Sequence, residues 1–320
     1  MLMGDPTEVQ GKASTHRPTV SVFVLTYDQE EYIEQTLLGI LAQQVDFDIK
    51  IVIGDDASSD KTSQICCAYH KRFPKLIDYK RNEVNLGLMG NYMLTAKRLT
   101  GKYIAICDGD DYWIDNAKLQ KQVDYLESHE DCAILGAYVN KLADGRIIEP
   151  KLPTGIERFT IEKMALENRV SAPTCVFRNF DRLNDLPAYF SKFPYGDWPT
   201  YLLLLDLNPG SYSAIMSEVT AVYRSDIGVS ATMRKNLASF FRRNAQILEQ
   251  LINDPGIARA RNHLRKGLAF QKRAEMMAHQ RSYNFILGFK SLFAAQSIDF
   301  QWNNFRLYLY SYKRLFKRLK

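Results

Sequence analysis

The chain has 320 residues, 46% hydrophobic and 24% charged, which excludes wholesale disorder and leaves room for one large domain or a domain with an appendage. Its net charge of +6 averages two unlike parts: residues 1–230 carry 24 basic and 32 acidic side chains (net −8), residues 231–320 carry 18 and 4 (net +14). No run approaches the roughly 18 apolar residues of a membrane span, so the charges describe an acidic body with a basic C-terminal region.

The opening MLMGDPTEVQGKASTHRP has no apolar core, so it is not read as a secretory signal, and residues 1–17 are expected to be a disordered leader. From Pro18, the run VSVFVLTY (20–27) is apolar and β-branched, as a strand buried on both faces should be. EEYIEQTLLGILAQQ (30–44) then places Ile33, Leu37, Ile40 and Leu41 on one helical stripe. IKIVIG (49–54) is a second strand, running into Asp55-Asp56. Ser59 or Asp60 can cap a helix reaching Phe73. A short strand near 77–80, a polar loop with Asn82, Asn85 and Gly87, a helix over 90–99 and the strand KYIAIC (102–107) follow. The last of these ends in Asp108-Gly109-Asp110-Asp111.

This alternation predicts right-handed βαβ units in a mostly parallel, Rossmann-like α/β sheet. Ligands in such sheets bind beyond the carboxyl ends of the strands, and Asp28, Asp55-Asp56 and Asp108–Asp111 stand at three such ends. Farther on, a helix over 116–128, a strand–turn–strand over 132–150 and a helix at 160–167 are expected. An extended stretch at 171–177, a helix from Asp197 and a last strand at 219–224 complete the body. From Leu237 the sequence is helix-like and basic, broken at Asp254-Pro255-Gly256.

Three carboxylates within four residues, Asp108, Asp110 and Asp111, repel one another unless something positive sits among them. A hard divalent cation, Mg²⁺ or Mn²⁺, takes such oxygen donors, with substrate phosphates completing its shell. The alternative is a solvated acidic turn before the next helix. Asp55-Asp56 can accept hydrogen bonds from a nucleobase or a ribose, although helix capping accounts for one acid of that cluster. Neither a phosphate-binding G-x-x-x-x-G-K-[ST] loop nor a G-x-G-x-x-G fingerprint is present, which disfavours P-loop ATPases and dinucleotide oxidoreductases. The five Cys are odd in number and lack metal-ligand spacing. They favour small buried side chains in a reducing, cytoplasmic location.

VSVFVLTYDQEEYIEQTLLGILAQQ, IKIVIGDDASSDKT and NEVNLGLMGNYMLTAKRLTGKYIAICDGDDYW, and more faintly YGDW (195–198) and AVYRSDIGVS (221–230), resemble family 2 glycosyltransferases. These are inverting, nucleotide-sugar-dependent enzymes of GT-A fold. The resemblance covers about residues 18–230 and leaves 231–320 as a C-terminal helical extension. It implies that Asp55 or Asp56 holds the base and ribose of the donor, a UDP-sugar being favoured, with Thr26 and Tyr27 in the first donor loop. Asp108 and Asp110 would contact the donor, Asp110 and Asp111 would bind the divalent metal, and Asp197 would be the catalytic base. Helix capping is the competing role for Asp197. Asp28 stands where the family usually has Asn. The family often has a His after the last-strand Tyr-Arg; here Tyr223-Arg224 leads to Ser225-Asp226, making Asp226 a candidate metal ligand.

The implied reaction is metal-dependent transfer of a sugar from a nucleoside diphosphate to a hydroxyl of a glycan or lipid-linked acceptor, in cell-surface polysaccharide or lipopolysaccharide synthesis. The alternatives are a catalytically silent scaffold that kept the fold and a sugar nucleotidyltransferase; the latter more typically has a Gly-rich loop after its first strand. In 301–320, six basic residues and no acid are interspersed with apolar side chains, as in helices that lie on anionic membranes. Peripheral membrane contact from the cytoplasmic side, packing on the body, an acidic partner and homo-oligomerisation compete for this segment. Nucleic acid ranks last, since no recognised motif supports it.

Overall fold

The computed structural model describes residues 19–302 and 304–310; the expected leader, and Tyr312, Leu315, Phe316 and Leu319 of the basic tail, lie outside the described residues. Two compact units are distinguished. The first comprises the chain up to Arg158 together with Val170–Asp197 and Ser211–Asp226. The second comprises Phe159–Arg169, Trp198–Gly210 and the chain from Ile227 onward.

The first unit begins with β1 (Val20–Thr26), α1 (Ile33–Leu41), β2 (Ile49–Asp55), α2 (Thr62–Arg72), β3 (Ile77–Arg81), α3 (Gly87–Ala96) and β4 (Tyr103–Ile106). Every residue of β1 is buried, because the pleat sends alternate side chains into two apolar environments. Val20, Val22 and Val24 join the core built by Ile33, Leu37 and Ile40 of α1. Phe23 lies edge-on to Tyr92 of α3, ring centroids 4.8 Å apart. Strands β3-β2-β1-β4 are parallel, as the strand–helix alternation requires.

The sheet then becomes mixed. β5 (Tyr112–Trp113), α4 (Lys118–Ser128), β6 (Cys132–Ala143), β7 (Arg146–Ile148), β8 (Glu157–Phe159), β9 (Val176–Arg178) and β10 (Tyr212–Arg224) follow, giving the order β3-β2-β1-β4-β9-β6-β10-β5, with β7 on β6 and β8 on β10. β9 is antiparallel to both β4 and β6, so it turns a parallel half-sheet into a mixed one. On α4, Leu119, Val123 and Leu126 complete the core.

Four local expectations are corrected. The helix expected from 90 starts at Gly87, where a φ of 74° suits glycine. The extended stretch at 171–177 contains a 3-10 turn, Ala172–Thr174, because Pro173 suits the start of such a turn. The last strand starts at Tyr212 rather than Val219; register irregularities near Ile215–Val219 let it carry the polar Ser217 and Glu218. Ser59 does not cap α2: its hydroxyl donates to Asp28, while Asp60 Oδ1 accepts from Thr62 N at 2.9 Å.

The second unit is helical. It holds α5 (Ile161–Leu166), the body of α6 (Asp197–Leu207), α7 (Gly228–Arg234), α8 (Leu237–Asn253), α9 (Arg261–Arg281) and α10 (Phe285–Ile298). Trp198 is fully buried and donates from Nε1 to Met164 O at 2.7 Å. Asp206 accepts from Arg259 N and Ala260 N at the start of α9, where a carboxylate is favoured by the free N–H groups. Asn236 and Asn284 cap α8 and α10 by accepting from Ser239 N and Leu287 N. Among the described residues no helix is long and apolar enough to cross a membrane.

Candidate active site

Parallel pairing sets the carboxyl ends of three neighbouring strands on one edge. Thr26 stands opposite Asp55 in the β1–β2 register, and the ladder is carried on by Asp56 N donating to Thr26 O and Gly109 N donating to Leu25 O. The clusters separated by about 30 and 50 residues in sequence thus become neighbours.

The loops after β1 and β2 are stitched together. Asp28 N donates to Ser58 Oγ at 3.1 Å, Gln29 N to Thr62 Oγ1 at 2.7 Å, and Glu30 N to Asp60 Oδ2 at 2.9 Å. Asp28, at a φ of 48°, accepts from Ser59 N at 2.7 Å, and this bond chiefly holds its carboxyl below the usual range. Thr26 is buried and donates from Oγ1 to Gln29 Oε1 at 2.8 Å. Gly109 packs against that pair: a Cβ there would lie 2.4 Å from Gln29 Oε1 and 2.9 Å from Thr26 Oγ1. Tyr27 is 47% exposed, and its hydroxyl is held beside Asp28, which raises its pKa, with Asn85 and Asp56 also within reach.

The two adjacent acids after β2 have different surroundings. Asp55 is fully buried and accepts four hydrogen bonds, from Ser58 N (2.9 Å), Ser58 Oγ (2.6 Å), Tyr79 OH (2.8 Å) and Ser63 Oγ. Burial and this carboxylate together push the Tyr79 hydroxyl well up. Asp56 accepts both of its hydrogen bonds on Oδ1, from Asn82 Nδ2 at 2.9 Å and Leu86 N at 2.8 Å. Asn82 Nδ2 also donates to Asn91 Oδ1, and Asn91 Nδ2 donates to Gly54 O, so a buried amide chain supports Asp56.

Beyond β4, Asp108 is pushed up to about 8, first by burial and then by the charges of Asp110 and Asp197. Asp197, the first residue of α6, is therefore within electrostatic reach of the acidic cluster. Burial also raises Asp110, which Arg224 opposes, and raises Asp111 well above the carboxylate range. Asp111 Oδ1 accepts from Arg224 N at 2.9 Å, tying the cluster to the end of β10. The Arg224 guanidinium donates to Asp110 O and to Gln35 Oε1 (2.6 Å) and lies over the rings of Tyr32 and Tyr112, 4.6 and 5.0 Å from their centroids. Asp226 faces elsewhere with one oxygen: Oδ2 accepts from Asp144 N at 3.0 Å in the turn between β6 and β7.

Among the described residues no group of three or more His, Cys, Asp or Glu side chains is arranged to hold a metal ion. A metal that shares two carboxylates with substrate phosphates needs fewer protein ligands than that. The donor chemistry fits: the oxygens are hard, and the burial and repulsion that hold Asp108 at about 8 are what a cation among them would offset.

A model of glycosyl transferase family 2 matches residues 21–185. The chain belongs to that family. Among its relatives, the uncharacterized protein Rv1520 of Mycobacterium tuberculosis (strain H37Rv) is 31% identical over 207 residues, 64% of this chain and 58% of that protein. TuaG of Bacillus subtilis (strain 168), named as a teichuronic acid biosynthesis glycosyltransferase, is 33% identical over 208 residues, 65% of this chain and 79% of that protein. The chain thus spans about 58% of the length of the mycobacterial relatives it matches. Staphylococcus aureus TarS 1–349, solved with UDP-GlcNAc, superposes with a TM-score of 0.61 at 18% identity, over 92% of each chain. The mannosyltransferase PcManGT of Pyrobaculum calidifontis, solved with GDP-Man and Mn²⁺, gives 0.60 at 18% identity, over 94% of this chain and 81% of that one. These likenesses establish the GT-A fold for this family 2 chain, with C-terminal helices beyond the family match.

Sequence reasoning missed Arg224 as more than a landmark, and Asn82 and Asn91 as supports of Asp56. An Arg closing an apolar strand was the available signal for the first; the amides had none, since their partners lie 26 and 37 residues away.

Proposed function

We propose that the protein is an inverting glycosyltransferase that moves a sugar from a nucleoside diphosphate to an acceptor hydroxyl in polysaccharide synthesis. The observation that carries this reading is the gathering of Asp56, Asp108, Asp110 and Asp197 around one end of the parallel half-sheet. Of the two acids after β2, Asp56 suits the donor, because Oδ2 stays clear of its internal hydrogen bonds. Asp55 positions the loop. Tyr27 and Asn85, beside Asp56, border the same space, and Thr26 holds the first donor loop through Gln29.

Asp108 faces the donor ribose in this reading, and Asp110 is the foremost ligand for Mg²⁺ or Mn²⁺. Asp111 offers the oxygen not taken by Arg224 N, and Asp226 is occupied in part by the hairpin turn. The cation, when bound, neutralises charge on the departing diphosphate. Asp197 removes the proton from the acceptor hydroxyl as its oxygen attacks the anomeric carbon opposite the leaving group, so one displacement inverts the configuration. The acidic cluster and Asp197, present together, favour this over a silent scaffold. A UDP-sugar is the preferred donor, since a neighbour was solved with one; the other neighbour was solved with GDP-Man, and both belong in a screen. The five free cysteines support a reducing, cytoplasmic location.

The test is release of nucleoside diphosphate from a panel of UDP- and GDP-sugars, with Mg²⁺ or Mn²⁺ and with EDTA. Metal-dependent turnover of one donor is expected. No turnover of any donor, with glycan and lipid-linked acceptors supplied, would return the scaffold reading.

A further inference from the structure

We propose that the outward face of α10, with the aromatic residues that follow it, is a docking surface for an anionic membrane. α10 is apolar nearly all round, with Lys290 its single charged residue. It turns Gly288, Ser291, Leu292 and Ala295 inward, and a Cβ on Gly288 would meet Gln280 Cγ at 3.3 Å and Met276 O at 3.4 Å on α9. Gly288 lets the two helices approach closely, and several bulky side chains of α10 are left outside. Ile286, Phe289 and Phe293 are 75%, 53% and 71% exposed, and their spacing puts them on one face. An ordinary surface helix turns its large apolar side chains inward and its polar ones outward. Here three large apolar side chains, Ile286, Phe289 and Phe293, face outward.

The exposed surface continues past the helix. The Phe289 ring lies 5.9 Å from Tyr308, and Phe300 and Trp302, 60% and 74% exposed, meet edge to face at 5.5 Å. Ile286, Phe289, Phe293, Phe300 and Trp302, all more than half exposed within 17 residues, are more than scattered surface apolar residues. Charge selects the occupant. Residues 281–320 contain eight Lys or Arg and one Asp, a net of +7. Two chains that each carry this charge in sequence next to α10 repel, whereas anionic headgroups neutralise it. Trp and Tyr suit the boundary between headgroups and acyl chains, and no described helix is built to cross it. Sequence reading offered membrane contact as one of several competing roles for 301–320; the proposal adds α10 to that role.

The test is co-sedimentation of the full chain with phosphatidylcholine vesicles containing about 30% phosphatidylglycerol, against phosphatidylcholine alone. Binding to the anionic vesicles that weakens with added salt is expected, and the triple variant Ile286→Ser, Phe289→Ser, Phe293→Ser should lower the partition at least about tenfold with unchanged circular dichroism. Should the triple variant misfold, Phe300→Ser with Trp302→Ser is expected to lower it severalfold. Absent binding by the unaltered chain, or an unchanged partition in the folded variants, overturns the proposal. A concentration-dependent dimer dissolved by the same substitutions would give the face to a second copy.

Discussion

The Tyr79 hydroxyl donates to Asp55 Oδ2 at 2.8 Å across neighbouring strands, and this bond is one of four that fill the Asp55 carboxylate. The adjacent Asp56 uses one oxygen internally. Two consecutive acids thus divide into a support and a candidate ligand.

That division is measurable. Asp55→Ala leaves four donors without an acceptor and is expected to lower stability by about 3 kcal/mol or more, read by urea unfolding. Asp56→Asn should instead leave the unfolding midpoint within about half a kcal/mol while weakening donor binding roughly tenfold to a hundredfold in calorimetry, as for one charge-assisted hydrogen bond. The reverse pattern would exchange the two roles.

Asp197→Asn should reduce transfer by about three orders of magnitude or more while the donor still binds, because a base matters only once the acceptor is attacked. Calorimetry of the donor and a turnover assay on the same preparation separate the two. Unaltered turnover would leave Asp197 as a helix-start residue only.

Arg224 holds Asp110 O, Gln35 and two tyrosine rings with one planar guanidinium. Arg224→Lys keeps the charge and loses the fork and the stacking, so about 2 kcal/mol of stability and most of the transfer activity are expected to go. Thermal melting and a donor titration with Mn²⁺ check it; an active, fully stable Lys variant would mean that charge alone suffices.

Lys118 is wholly buried on α4, its ammonium 4.1 Å from the Trp113 ring centroid and without a hydrogen-bond partner. Burial pulls it down to about 7. The unfolded chain binds this proton more readily, so the group's contribution to stability is complete above its unfolded value of about 10.4 and is lost as pH falls to about 7, below which it is constant. Lys118→Met should flatten the stability profile between those limits and raise stability near pH 7 by on the order of 3 kcal/mol, measured by urea unfolding at several pH values. A profile of unchanged slope would show that Lys118 is solvated or paired in the folded protein.

The parallel half of the sheet and the position of the acids along it were determined by the sequence alone. Buried strands such as VSVFVLT need an unbroken apolar run, and the run's end marks where the acids begin, both local properties of the chain. The tertiary structure decided what no local pattern carries. Which of Asp55 and Asp56 keeps a free oxygen depends on donors in β3, α2 and the loop before α3; what Arg224 holds depends on residues as far as 189 positions away. The outward face of α10 is also set this way, because close approach to α9 at Gly288 fixes which side is inside and leaves Phe289 and Phe293 to face out. A hydrogen bond or a packed face is a relation between two places in space, and the sequence lists only one of them at a time.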